Sequence, residues 1–217
     1  MIVDERVSCY IKSLTACNSN FLEELREKAL EDKVPIIKRE TESLLKTLLL
    51  LKKPKKILEV GTAVAYSSLV MAEVLEGKTK ISTIENYEKR VLEAKKNIAD
   101  SNYSNTIHLI EEDASKVLKE LVEKKEKYDF IFMDAAKGQY INWLEPVIKL
   151  LNKEGVLCSD NVLQGGDIVQ SRYIIERRDR SIHSRLREYL YELTHREELS
   201  TTILSLGDGV ALTVLKK

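Results

Sequence analysis

The sequence predicts an α/β fold: one mostly parallel seven-stranded sheet with a final antiparallel strand, helices on both faces and an N-terminal helical annex. Three observations carry this. From residue 55 onward, short apolar runs alternate with segments of helical period, the signature of repeated βαβ units. The runs are almost wholly apolar, as strands buried on both faces are. Near the end, Gly207-Asp208-Gly209 joins two short runs in the manner of a hairpin. A chain of 217 residues suits one domain with a well-buried core, so residues 1–217 are read as a single domain and 1–52 as its annex.

In chain order, residues 4–16 and 20–31 have helical apolar spacing. Val34-Pro35-Ile36-Ile37 is a break, since Pro35 disfavours helix at the residue before it. Residues 40–51 read as a buried helix that Pro54 stops. Strands follow at 56–60, 80–84, 106–110, 128–133 and 155–159, with helices near 65–76, 87–101, 114–125 and 139–151. A long polar helix is expected over about 168–196, then strands at 200–206 and 209–215.

Composition narrows the function. Lys plus Arg and Asp plus Glu each total 35, for zero formal net charge. That gives no global argument for nucleic acid and leaves room for a local basic face. Cys9, Cys17 and Cys158 lack metal-ligand spacing and read as free thiols. His108, His183 and His195 are scattered, which argues against a zinc site. No apolar run reaches membrane-spanning length, and no basic segment with an apolar core opens the chain. A cytoplasmic location with no membrane partner is the default expectation.

Chemistry concentrates at strand ends, where open α/β sheets bind ligands. FIFMDAAKGQY (130–140) ends a strand in Asp134, and GVLCSDNVLQGG (155–166) ends one in Asp160-Asn161. Two Asp and one Asn on one rim form the all-oxygen set that hard divalent cations such as Mg²⁺ prefer. Lys137 stands three residues past Asp134, where a base is useful. Helix capping is the plainer reading of each carboxylate. ILEVGTAVAYSS (57–68) turns at Gly61 toward a helix beginning near Ala65, a backbone able to approach a ligand closely. It has one glycine, so a dinucleotide is a poor match. Glu85 ends the second strand at the spacing of a ribose-binding acid. Asp113-Ala114 follows the third, as a helix cap or as a rest for a nucleoside base. Arg172, Arg177, Arg178, Arg180, Arg185 and Arg187 make the expected long helix basic, for solvent or for phosphate.

Together, ILEVGT, TIE, DAAKGQY and DN resemble the class I S-adenosylmethionine-dependent methyltransferases. Within them they resemble the metal-dependent O-methyltransferases of the catechol and caffeoyl-CoA type, from about residue 30 to the C-terminus. The resemblance implies a Rossmann-like fold with S-adenosylmethionine and Mg²⁺ as cofactors. It implies cofactor binding by Ile37, Glu59, Gly61, Ser67, Glu85, Asp113, Ala114 and Asp134. Metal binding falls to Asp134, Asp160 and Asn161, and catalysis to Lys137 with Asp134. The family usually has glycine where this chain has Ala65; a helical backbone there would accept alanine, whereas one that needs positive φ would weaken cofactor binding. VPI, PKKILEVGTA, DNVL, RRDR and GDG further resemble bacterial tRNA 5-hydroxyuridine methyltransferases. That likeness implies methylation of the wobble uridine in a tRNA anticodon loop, with Arg172, Arg177, Arg178 and Arg180 on the RNA, in a homodimer joined through the N-terminal helices. A small catechol or phenol is the alternative acceptor, since it and 5-hydroxyuridine share two adjacent oxygens.

Overall fold

The computed structural model describes residues 4–216; the ends of the expected domain, 1–3 and 217, lie outside the described residues. Seven strands form one sheet: β1 (Lys56–Val60), β2 (Lys80–Glu85), β3 (Ile107–Glu111), β4 (Tyr128–Met133), β5 (Leu151–Ser159), β6 (Leu199–Leu204) and β7 (Val210–Leu215). Their order is β3-β2-β1-β4-β5-β7-β6. The first five are parallel, and β7 runs antiparallel to both neighbours, as the sequence predicts. Among the described residues, no helix is long and apolar enough to cross a membrane.

Period-two alternation splits the core across the sheet. Ile57, Phe130 and Phe132 face one apolar cluster with α2 (Asn20–Glu31), α3 (Arg39–Lys52), α4 (Tyr66–Val74) and α5 (Glu88–Ala99). Leu58, Ile131 and Met133 face the other, with α6 (Ala114–Glu123), α7 (Tyr140–Leu150) and α8 (Arg180–His195). Because both faces are covered, these strands carry no polar face, which is why they read as apolar runs. Strand order reverses between β1 and β4, whose carboxyl ends therefore flank the crevice where such sheets bind ligands.

Two expected elements differ. β5 begins at Leu151, ahead of the expected start at 155 and where the preceding helix is expected to end. The helix predicted over 168–196 begins only at Arg180. Inward-facing residues recur at helical spacing from His183 through Leu186, Tyr189 and Leu193, and residues before them do not. Gln164–Val169 is a 3₁₀ segment, and 170–179 is irregular. Arg172, Arg177 and Arg178 thus lie exposed on a connecting segment and not on a helix. The Arg180 guanidinium turns back onto the Ile175 and Tyr173 carbonyls, at 3.0 and 3.2 Å, and so ties down that segment.

Candidate active site

The crevice between β1 and β4 opens into a cavity of about 930 Å³. Its first half is built by the loop after β1. Gly61 has φ +101°, and a Cβ there would stand 2.1 Å from the Asp134 carbonyl oxygen. Glycine is required on both counts, and the close approach ties the β1 loop to the β4 end. The Gly61 and Thr62 amides donate to the Ile84 carbonyl at 3.1 and 3.2 Å. Glu85 accepts from the Ala63 amide at 2.9 Å and from the Asn86 and Tyr87 amides at 3.0 Å. These bonds fix its carboxylate on the cavity wall, where Glu85 sits with Ser67, Ile37, Asp113 and Ala114. Asp113 also caps α6, accepting from Ser115 and Lys116 amides at 2.9 and 3.3 Å, so the capping reading and the cavity-lining reading hold together. The Ile37 carbonyl accepts from Arg26 Nη1 at 3.0 Å.

Two expectations on this half change. Glu59 does not line the cavity; it is fully buried behind it. There it accepts from Ser67 Oγ and Thr83 Oγ1, each at 2.5 Å, and from Ser68 Oγ. Burial pushes its carboxyl up to about 7 despite those three donors. Ala65 is not helical: it is the N-cap of α4 with φ 65° and ψ 20°. The loop still takes the left-handed turn that glycine adopts freely, and an alanine bears its cost.

The second half holds the carboxylate rim. Asp134 Oδ1 accepts from Lys137 Nζ at 2.6 Å. Both line the cavity with Asn161, whose φ of 59° is one that asparagine tolerates. Asp160 is 2% exposed and sits behind that wall, accepting from Thr41 Oγ1 at 3.4 Å. Burial and then the Asp134 charge push its carboxyl up to about 7. Tyr140 joins the two strand ends. Its hydroxyl lies 3.0 Å from the Met133 carbonyl and 3.2 Å from that of Asp160, to donate to either, and accepts from the Ala135 amide at 3.3 Å. Burial holds that phenol far above its ordinary range.

Sequence reasoning misses three participants. Asp208 lines the cavity because its loop docks on the DN turn: Val162 and Leu163 amides donate to the Gly209 and Asp208 carbonyls, each at 3.0 Å. The hairpin signal marked the turn but not where it folds. Trp143 reaches the wall from α7, with Nε1 donating to Ser115 Oγ at 3.0 Å. Glu42 is a buried hub beside the cavity. It accepts from Tyr66 at 2.7 Å and Asn18 at 2.9 Å, and pairs with Lys46 at 2.9 Å, Arg39 at 3.3 Å and Arg26 at 3.5 Å. Burial opposes its ionisation, but the Lys46, Tyr66 and Asn18 hydrogen bonds hold the carboxyl below the usual range. Within an apolar helix such as 40–51, no spacing announces this.

The donor chemistry fits a hard divalent cation. Asp134, Asp160 and Asn161 offer only oxygen, and the opposed carboxylates share Lys137 as a near cation. Among the described residues, no three His, Cys, Asp or Glu side chains gather as metal ligands; the set here needs its asparagine. Arg172, Arg177, Arg178 and Arg180 do not line the cavity.

The chain matches the O-methyltransferase family over residues 12–217. It belongs to that family. The flavonoid 3′,5′-methyltransferase of Vitis vinifera is 33% identical over 172 residues, 76% of this chain and 72% of that protein. A Staphylococcus aureus protein with a provisional caffeoyl-CoA O-methyltransferase name has a crystal structure that superposes with a TM-score of 0.88. It is 32% identical, with 98% of this chain and 100% of that one covered. The O-methyltransferase of Bacillus cereus in complex with SAH has the same fold, with a TM-score of 0.85 at 24% identity and 97% of each chain covered.

Proposed function

We propose that this O-methyltransferase moves the methyl group of S-adenosylmethionine to one of two adjacent oxygens on a small catechol-type phenol, assisted by a divalent cation such as Mg²⁺. The observation that carries this reading is one cavity with two unlike halves: Glu85, Ser67 and Asp113 on one side, Asp134, Lys137 and Asn161 on the other. The SAH-bound Bacillus cereus neighbour supports the cofactor, and the flavonoid relative supports the acceptor class.

When bound, the sulfonium supplies an electrophilic methyl and the cation supplies charge that favours ionised oxygen. The chain does the rest. Glu85 accepts from ribose hydroxyls, while Asp113-Ala114 and Trp143 flank the base. Asp134, Asp160 and Asn161 hold the cation. Lys137 takes the acceptor's proton or faces its oxyanion from Nζ, held in reach by Asp134. Tyr140 keeps both carboxylate-bearing strand ends in register. Rate then comes mainly from positioning.

A second reading keeps this chemistry and changes the acceptor to 5-hydroxyuridine at the tRNA wobble position, giving 5-methoxyuridine. It is favoured by exposed Arg172, Tyr173, Arg177 and Arg178 on the segment that follows the DN turn. An unpaired anticodon base is less costly to splay into a pocket than a paired one. Parallel transfer assays on a catechol and on tRNA carrying 5-hydroxyuridine, each with and without chelator, separate the two. Chelator-sensitive catechol methylation with kcat/KM at least equal to that on tRNA is expected. A far higher kcat/KM on tRNA would replace the first reading by the second, and product on neither would refute both.

We also infer a homodimer through α1 (Glu5–Leu14). That helix buries none of its residues, and Val7, Tyr10, Ile11 and Leu14 stand exposed along it.

A further inference from the structure

Between α8 and the segment that follows the DN turn lies a second, solvent-open cavity of about 430 Å³. Its wall is Gln170, Ser171, Arg172, His183, Ser184 and Arg187. Among the described residues, no carboxylate and no apolar side chain contributes. His183 is the anomaly. It is 2% exposed and lies on the inner stripe of α8, yet neither Nδ1 nor Nε2 has a hydrogen-bond partner among the described residues. A buried polar atom without a partner costs roughly 1–3 kcal/mol, and an imidazole always carries at least one N–H to donate. Two arginines, Arg172 and Arg187, belong to the same wall. Arg187 is held in place by its bond to the Ile168 carbonyl at 3.2 Å.

We propose that this cavity is an anion subsite that takes a phosphate group. Guanidinium forks match phosphate oxygens, and the imidazole, the hydroxyls and the Gln170 amide add donors around them. A water molecule would satisfy one imidazole nitrogen but would bring no charge to a site lined by two arginines. The subsite is mechanically joined to the active site. Arg185 Nη1 donates to the Gly138 carbonyl at 3.2 Å, and Ile182 packs near Gly138, so the helix carrying His183 also backs the turn that carries Lys137. The subsite does not depend on which acceptor is methylated.

Imidazole resonances of the full chain, labelled at its three histidines, test this under titration with inorganic phosphate at constant ionic strength. The expected result is a saturable shift of the His183 resonance that chloride does not reproduce. Arg172→Gln, at an exposed position, and Arg187→Gln should each weaken binding on the order of tenfold, about one charge-assisted hydrogen bond. No saturable His183 shift, an equal shift with chloride, or wild-type affinity in both variants would overturn the proposal. Inorganic phosphate that competes with a phosphate-bearing acceptor, but not with a plain catechol, marks the group as part of the acceptor. Binding without competition marks a free anion. Methyl transfer is not needed for the titration, so its outcome stands apart from the fate of the functional reading.

Discussion

Ala65 and Glu59 bear measurable costs in the cofactor loop. Ala65 holds a left-handed backbone that disfavours any Cβ-bearing residue by roughly 1–2 kcal/mol. Ala65→Gly should therefore stabilise the protein by roughly 1 kcal/mol, after the entropy of the freer unfolded glycine is subtracted. Urea unfolding reads this, and a loss of stability would show that the methyl packs well enough to outweigh the strain. Glu59 has a folded pKa raised to about 7 from an ordinary value of 4.5. Between those values the folded state binds the proton that the unfolded state has released. Stability therefore falls as pH rises from about 4.5 to about 7, and is flat for this group outside that window. Glu59→Gln should flatten this decline by roughly 1–3 kcal/mol. A variant whose stability falls as steeply as wild type across that window would assign the decline to other groups.

Elements differ in how far their sequence betrays them. β1 and β4 are read to the residue because strands buried on both faces have no polar alternation to blur their ends. Asp134 is legible for the same reason, since it follows the end of β4 directly, with Lys137 one short turn on; Asn161 is legible because it follows the apolar end of β5. Tertiary contacts are not legible. Helix was expected over 170–179 because its charges resemble a solvated helix face, but periodic burial starts only at His183. Asp208 and Glu42 reach the site through a docked loop and a buried hub, neither of which has a local signal. The docked loop makes a testable claim. A Cβ at Gly209 would stand 2.3 Å from Leu163 Cγ, at φ +93°. Gly209→Ala should destabilise by more than about 1 kcal/mol, and Leu163→Ala should relieve the clash part of that loss but not the backbone part. Purely additive losses in the double variant would mean the loop is not seated on Leu163.

For the whole molecule, two surfaces and one crevice divide the work. α1 presents an apolar stripe to solvent. If a second copy covers it, Tyr10→Glu with Leu14→Glu should convert a dimer to a monomer by light scattering without loss of fold; a monomeric wild type would remove the dimer from the account. The segment at 170–178 and the His183 cavity form a cationic flank. The proposed function gives the crevice two separate roles: Glu85 and Asp113, fixed by backbone amides, would serve the cofactor, and Asp134, Asp160 and Asn161 would serve a cation and the acceptor. The most direct test of that separation is the Asp160→Asn variant, which keeps the buried side chain's shape, examined by calorimetric titration with S-adenosylmethionine beside methyl transfer to a catechol in Mg²⁺. Cofactor affinity close to wild type is expected, with turnover lowered about a hundredfold or more. Loss of cofactor affinity in step with turnover, or turnover left intact, would contradict it.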